Sequence, residues 1–171
     1  EMVGGATFVE GRGVVASIER VPLEYRRHVQ GVFQGPYSSL NPSHLAGDII
    51  GEPITRHLKI RGNGRQSLIN DLLRRVGLSR IHAHRYPYEL SGGQRQRVMI
   101  AMAIANEVKI LIADEPTTAL DINNQDEVVK LLLDLREKLN LTILFITHNL
   151  RIVKKLADNI LVMKEGRIIE K

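Results

Sequence analysis

A chain of 171 residues, 43% of them hydrophobic and 25% charged, is long enough for one domain with a buried core and too ordinary in composition to be disordered or collagen-like. It contains no cysteine, which excludes a disulfide framework, a thiol nucleophile and a cysteine-based zinc site and makes a reducing compartment the natural setting. The net charge of +5 is concentrated in residues 55–90, where eight bases (Arg56, Lys59, Arg61, Arg65, Arg74, Arg75, Arg80, Arg85) face two acids (Asp71, Glu89). That stretch reads as a solvated helical face, with contact to a protein or membrane surface as the alternative. Nucleic acid is disfavoured as a partner, because Tyr86 and Tyr88 are the only aromatics nearby on which bases could stack. The longest apolar run, residues 98–105, falls far short of the roughly 20 residues that span a bilayer. The amino end lacks the basic and apolar regions of a signal peptide.

Taken in chain order, residues 6–18 mix β-branched side chains with Gly11 and Gly13 and predict a hairpin or two edge strands around a glycine turn. Gly11, Gly13 and Ala16 fit the loose dinucleotide-binding pattern, but Pro22 leaves little room for the helix it requires. A short strand over 29–33 delivers Gln34 into the turn-rich loop 35–42. Residues 44–80 are helical, with Leu68, Leu72, Leu73 and Val76 at helical spacing, a break at Gly62-Asn63-Gly64 and a stop at Gly77. Ser91-Gly92-Gly93 opens a helix over about 94–106, so apolar on several faces that it must lie inside with only its amino end exposed. The run 110–113 predicts a strand covered on both faces, with Asp114 and Glu115 at its carboxyl end. A helix over 124–139 leads to a second buried strand, 142–147, ending at His148-Asn149. A further helix, 150–157, precedes a hairpin over 160–170 turned at Lys164-Glu165-Gly166. The alternation predicts an α/β fold, a mainly parallel sheet flanked by helices, with function at the carboxyl ends of its strands.

Asp114 and Glu115 are adjacent at a strand end and cannot point the same way, so one can bind a metal ion while the other orients a water. Two polar caps on a strand are the simpler alternative until other parts agree. Four apolar residues followed by this pair resemble the Walker B element of nucleoside triphosphatases. Ser91, Gly92, Gly93 and Gln94 place a hydroxyl and two bare glycines at a helix amino terminus, where free N–H groups and the helix dipole favour phosphate. A plain N-cap accounts for Ser91 but gives no reason for Gly92, Gly93 and Gln94 together. A serine-hydrolase elbow is excluded because Glu89 stands where glycine is needed. His82 and His84 are too close in sequence to meet on one helix face, and His28, His44 and His57 are expected at the surface.

Residues 90–97, LSGGQRQR, spell the signature motif of the ATP-binding cassette (ABC) nucleotide-binding domain, which the chain resembles over essentially its whole length. The other family elements appear in order: Gln34 resembles the Q-loop glutamine, 110–115 the Walker B element, Thr118-Ala119-Leu120-Asp121 the D-loop and His148 the switch histidine. Residues 33–42, FQGPYSSLNP, are similar to the FQDPYSSLNP of ATPases that drive dipeptide and oligopeptide importers, and Tyr86-Pro87-Tyr88-Glu89 supports the same branch. The resemblance implies a P-loop NTPase-like fold, ATP and Mg²⁺ as substrate and ion, and three parts: an N-terminal β segment with the Q-loop (1–40), a helical subdomain with the signature (41–106), and Walker B, D-loop, switch histidine and hairpin (107–171). It implies that Asp114 supports Mg²⁺, Gln34 senses the ion and the attacking water, Glu115 is the general base and His148 holds the γ-phosphate. Ser91, Gly92, Gly93 and Gln94 would close over ATP bound to a second nucleotide-binding domain, with Asp121 communicating across that dimer. The remaining partners it implies are transmembrane permease subunits and, indirectly, an extracytoplasmic solute-binding protein, which would place the domain peripherally on the cytoplasmic face of the membrane.

Two departures matter. Gly35 and Asn149 replace acids usual in the family, and no lysine follows a glycine, so the P-loop pattern G-x-x-x-x-G-K-[ST] is absent from these residues. Truncation is the expected reason, and a degenerate domain that supplies its signature to a partner without hydrolysing ATP is the alternative. A soluble ABC ATPase of DNA repair or translation would need a coiled-coil or zinc insertion or a linker between two domains, none of which is visible. Lacking the loop whose amides and lysine cradle phosphates, the 171-residue chain is expected to bind Mg-ATP weakly by itself. Isothermal titration that returned a micromolar dissociation constant would refute this.

Overall fold

The computed structural model describes residues 7–9, 12–14, 27–33, 39–118 and 120–171. The hairpin expected near the amino end is present as β1 (Thr7–Val9) antiparallel to β2 (Arg12–Val14). Gln34, Gly35 and the rest of loop 34–38 lie outside the described residues.

Among the described residues three strands form the parallel sheet: β3 (Val29–Val32), β4 (Ile110–Asp114) and β5 (Thr142–Ile146), in that order, with β4 between the other two. Between β3 and β4 the chain is helical: α1 (Ala46–Pro53), a π-helical turn (Ile54–Leu58), α2 (Gly62–Arg75), two 3₁₀ turns (Arg80–His84, Pro87–Glu89) and α3 (Gly92–Ala103). Then follow α4 (Ile122–Leu139), α5 (Leu150–Leu156) and an exposed hairpin of β6 (Val162–Lys164) and β7 (Arg167–Glu170).

Local rules explain the helix ends. Gly62, Asn63 and Gly64 do not separate two helices; they open α2, because the first turn donates no internal hydrogen bonds and tolerates poor helix formers. Gly77 closes it at φ +72, and Leu78 N–H donates to Leu73 O at 2.8 Å, the left-handed stop that glycine adopts without steric cost. Alpha-3 is central, as its composition requires: Val98, Met99, Ile100, Ala101 and Ala103 are buried together with Ile50 and Ile54, Ile69 and Leu73, Leu111, and Leu132 and Leu135. Burying a side chain of that size is worth about 1.5–3 kcal/mol, and this shared core fixes the signature helix to the sheet.

The expectation that β4 and β5 are each covered on two faces is corrected. Leu111 and Ala113 of β4 are fully buried and pair in register with Ile143 and Phe145, which pack against the core. On the other face Ile112 is half-buried, and Leu144 and Ile146 are 50% and 46% exposed. An unbroken apolar run records that both faces avoid charge, not that both are covered by the described residues. His57 and His28 are also half-buried rather than at the surface. The His57 imidazole is pushed below its usual pKa by burial and then by Arg56 and Lys59, and His28 is held by a 2.9 Å contact between Nδ1 and Glu107 O.

Candidate functional site

At the end of β4 the two acids part. Asp114 stays in the ladder opposite Ile146, half-buried. Glu115 donates its N–H to Ile146 O at 3.0 Å and then turns off the strand with φ 47, a left-handed conformation seldom adopted by a residue with a side chain. Its carboxylate is only 19% exposed and is held by three donors. Thr118 Oγ1–H donates to Oε2 at 2.6 Å, while the backbone N–H of His148 and its ring Nδ1 donate to Oε1 at 3.1 and 2.5 Å. An ionised carboxylate only accepts, so Nδ1 carries the proton. Burial works against the charge, but the bonds from Thr118 and His148 outweigh it and hold the Glu115 carboxyl below its ordinary pKa.

Parallel pairing is what brings this group together, since it sets the carboxyl ends of β4 and β5 side by side and delivers His148 from the loop after β5. Asn149, where the family usually has Asp, caps α5 by accepting from Arg151 N–H at 3.1 Å, a role for which Asn and Asp are equivalent.

The signature forms a second cluster. Ser91 caps α3: Oγ accepts from Gln94 N–H at 3.2 Å and Gln94 Oε1 accepts from Ser91 N–H at 3.0 Å, a reciprocal capping box. Gly93 is buried, and a Cβ there would sit 2.8 Å from Asn124 Oδ1. These contacts supply internal reasons for Ser91, Gly93 and Gln94, and leave Gly92, with only an ordinary 3.5 Å approach to Leu120, as the one position whose glycine nothing in the described fold demands. Asp121 caps α4, accepting from Asn124 N–H at 3.1 Å and Asn124 Nδ2–H at 2.5 Å, and these bonds hold its carboxyl below the usual range. Among the described residues no hydrogen bond or ion pair joins the Ser91–Gln94 cluster to Glu115 or His148.

A Mg²⁺ ion fits the donor set. Mg²⁺ takes one or two carboxylates and completes its shell with water and substrate phosphate. Asp114, half-buried at the end of β4, is the carboxylate that would serve in this way, and the described residues hold no cluster of three or more His, Cys, Asp or Glu that would make an all-protein cage. Sequence reading assigned no role of its own to Thr118; a hydroxyl three residues after Glu115 is the signal that would have found it. It also missed Arg95, which is 5% exposed and donates from Nη1 to Pro87 O at 3.0 Å and Leu90 O at 2.5 Å, fixing the turn before the signature.

A parallel sheet packed against helices on its buried face, with Asp114, Glu115 and His148 at the carboxyl ends of its strands, agrees with the P-loop NTPase-like class of the solved structures on which the chain superposes. Within that class the chain belongs to the ABC transporter family, whose model matches residues 8–118. It is 43% identical over 166 residues to the probable peptide ABC transporter ATP-binding protein y4tS of Sinorhizobium fredii, covering 97% of this chain and 47% of that protein. It is 40% identical to the di/tripeptide transport ATP-binding protein DppF of Pseudomonas aeruginosa, covering 99% of this chain and 53% of that one. With the oligopeptide transport ATP-binding protein OppF of Bacillus subtilis the identity is 43%, over 99% of this chain and 56% of the relative. The chain thus spans about half the length of these relatives. Among solved structures, the dimeric post-hydrolysis state of the ATP-binding cassette MJ0796, bound to ADP and Pi, superposes with a TM-score of 0.79 at 28% identity, over 98% of this chain and 72% of that one. For cbiO1 of Clostridium perfringens the TM-score is 0.82 at 31% identity, covering 95% and 63%. No helix among the described residues is long and apolar enough to cross a membrane.

Proposed function

We propose that this chain is part of the ATP-hydrolysing subunit of a peptide importer, acting as a dimer of nucleotide-binding domains beneath permease subunits on the cytoplasmic face of the membrane. The observation that carries the reading is the contact of Glu115 with His148 at adjacent strand ends, next to a D-loop whose Asp121 caps α4. Glu115, ionised and partly shielded from water, accepts a proton from the attacking water. His148 orients Glu115 and holds the γ-phosphate through its exposed ring, which is 81% accessible. Asp114 and Gln34 hold Mg²⁺, which when bound neutralises charge on the phosphates. Ser91, Gly92, Gly93 and Gln94 present the amino end of α3 to ATP on the partner domain. Residues 41–106 form the part that meets the permease, with 1–40 and 107–171 around the nucleotide.

Peptide as cargo rests on the names of the relatives and on the FQGPYSSLNP segment. The natural protein, reconstituted in liposomes with its permease and binding protein, is expected to hydrolyse ATP faster when a di- or oligopeptide is added. Stimulation by Ni²⁺ or another solute and not by peptide would reassign the cargo.

A further inference from the structure

We infer that Gln125 is a positioning residue that staples the D-loop to α4, and that with Asn124 it sets the loop in register with the signature helix of the same chain. The inference rests on the function proposed above and adds to it residues that no family motif singles out.

Thr117 and Leu120 lie between β4 and α4, and their carbonyls are both within reach of the first turn of α4. Leu120 N–H donates to Thr117 O at 3.1 Å. Gln125, half-buried, sends both hydrogens of one amide into this turn: Nε2 donates to Thr117 O at 3.2 Å and to Leu120 O at 3.0 Å. Its own N–H donates to Asp121 O at 2.8 Å, anchoring it in the first turn of α4. One side chain thereby holds both ends of the turn. Thr117 is 3% exposed, so water cannot easily replace the bond to its carbonyl.

The same helical turn faces the signature. Asn124 binds Asp121 through its backbone N–H and Nδ2, while its Oδ1 occupies the space that a Cβ on Gly93 would need. At the other end Thr118 holds the Glu115 carboxylate. A continuous set of contacts thus runs from Glu115 through Thr118, the D-loop carbonyls, Gln125 and Asn124 to Gly93. Contiguity alone is not coupling, so the inference needs a perturbation that removes one link without altering size.

Gln125→Met keeps length and removes both donors, while Gln125→Lys keeps donors that reach one carbonyl. In the natural protein, assembled with its partner domain, the Met variant is expected to lower kcat for ATP about tenfold, the equivalent of one or two hydrogen bonds. KM should stay within about twofold, because binding groups are untouched. The Lys variant should recover part of kcat. Equal kcat in all three proteins overturns the inference, as does a fall in kcat matched by an equal loss of folded protein in a thermal melt. If the Met variant does not fold, the Lys variant decides alone: kcat reduced at unchanged KM supports the staple, and wild-type kcat overturns it. Glu115→Gln, run alongside, separates the two claims. Persistent hydrolysis in that variant overturns the functional reading, whereas lost hydrolysis there with an unaffected Gln125→Met overturns only the staple.

Discussion

Glu115→Gln in the natural protein is expected to retain ATP binding and to lower hydrolysis by about 10²- to 10⁴-fold, the usual contribution of a general base. The substitution preserves shape: one amide oxygen can still accept from His148 N–H, and the Thr118 hydroxyl can turn to accept where it now donates. What disappears is the negative charge and the capacity to take a proton. The wild-type carboxyl lies below its ordinary pKa because its three hydrogen bonds outweigh burial, so it is ionised at neutral pH. In the proposed role its capacity to take a proton is expected to be present above that lowered value and to fade as the pH falls through it. Single-turnover hydrolysis beside filter binding of nucleotide separates the two effects, and undiminished turnover in the variant would remove Glu115 from the mechanism.

The second large effect is on stability. Arg95→Met is expected to destabilise the fold by about 2–5 kcal/mol, since it removes two hydrogen bonds from a charged donor, each worth about 1.5–3 kcal/mol, and leaves Pro87 O with only the longer bond from Leu90 N–H at 3.3 Å. Arg95 lies on the buried face of α3, and its Nη1 joins Pro87 O and Leu90 O, the two carbonyls that shape the approach to Ser91. Methionine fills much of the volume, so the loss reports the hydrogen bonds more than a cavity. For a chain of this size the melting temperature should fall by about 5–15 °C. Arg95→Lys should lie between the two, because an ammonium reaches only part of what the guanidinium spans. A melting temperature within about 2 °C of wild type would show that the turn before the signature holds without Arg95.

Much of the fold was legible in the sequence, for reasons that differ by element. Gly77 stops α2 because only glycine reaches φ +72 without strain, and the periodic Leu68, Leu72, Leu73 and Val76 already named the buried face. Glu115 and His148 were nominated by motif, and parallel pairing was enough to bring them together. Ser91 and Gln94 carry a capping-box pattern legible at i and i+3, a purely local signal that coincides with the signature motif. Gly93 is different: its constraint is the Asn124 amide on another helix, a tertiary approach that no local pattern encodes. The coverage of β5 was misread because Leu144 and Ile146 are as apolar as Ile143 and Phe145, and burial depends on what stands opposite. The same limit applies to Thr117 and Gln125, whose contact exists only once the turn has closed.

The parallel sheet also dictates an order of events as the chain folds. Val29 pairs with Ile110, and everything from α1 to α3 lies between them. Closing so long a loop while it is disordered costs entropy before any ladder bond forms, whereas α1, α2 and α3 meet one another over shorter separations. By that cost the helices that carry the signature are expected to condense before β3 pairs with β4. The strand ends that hold Glu115 and His148 are joined differently: β4 and β5 pair across the single helix α4, a far shorter closure than the one between β3 and β4.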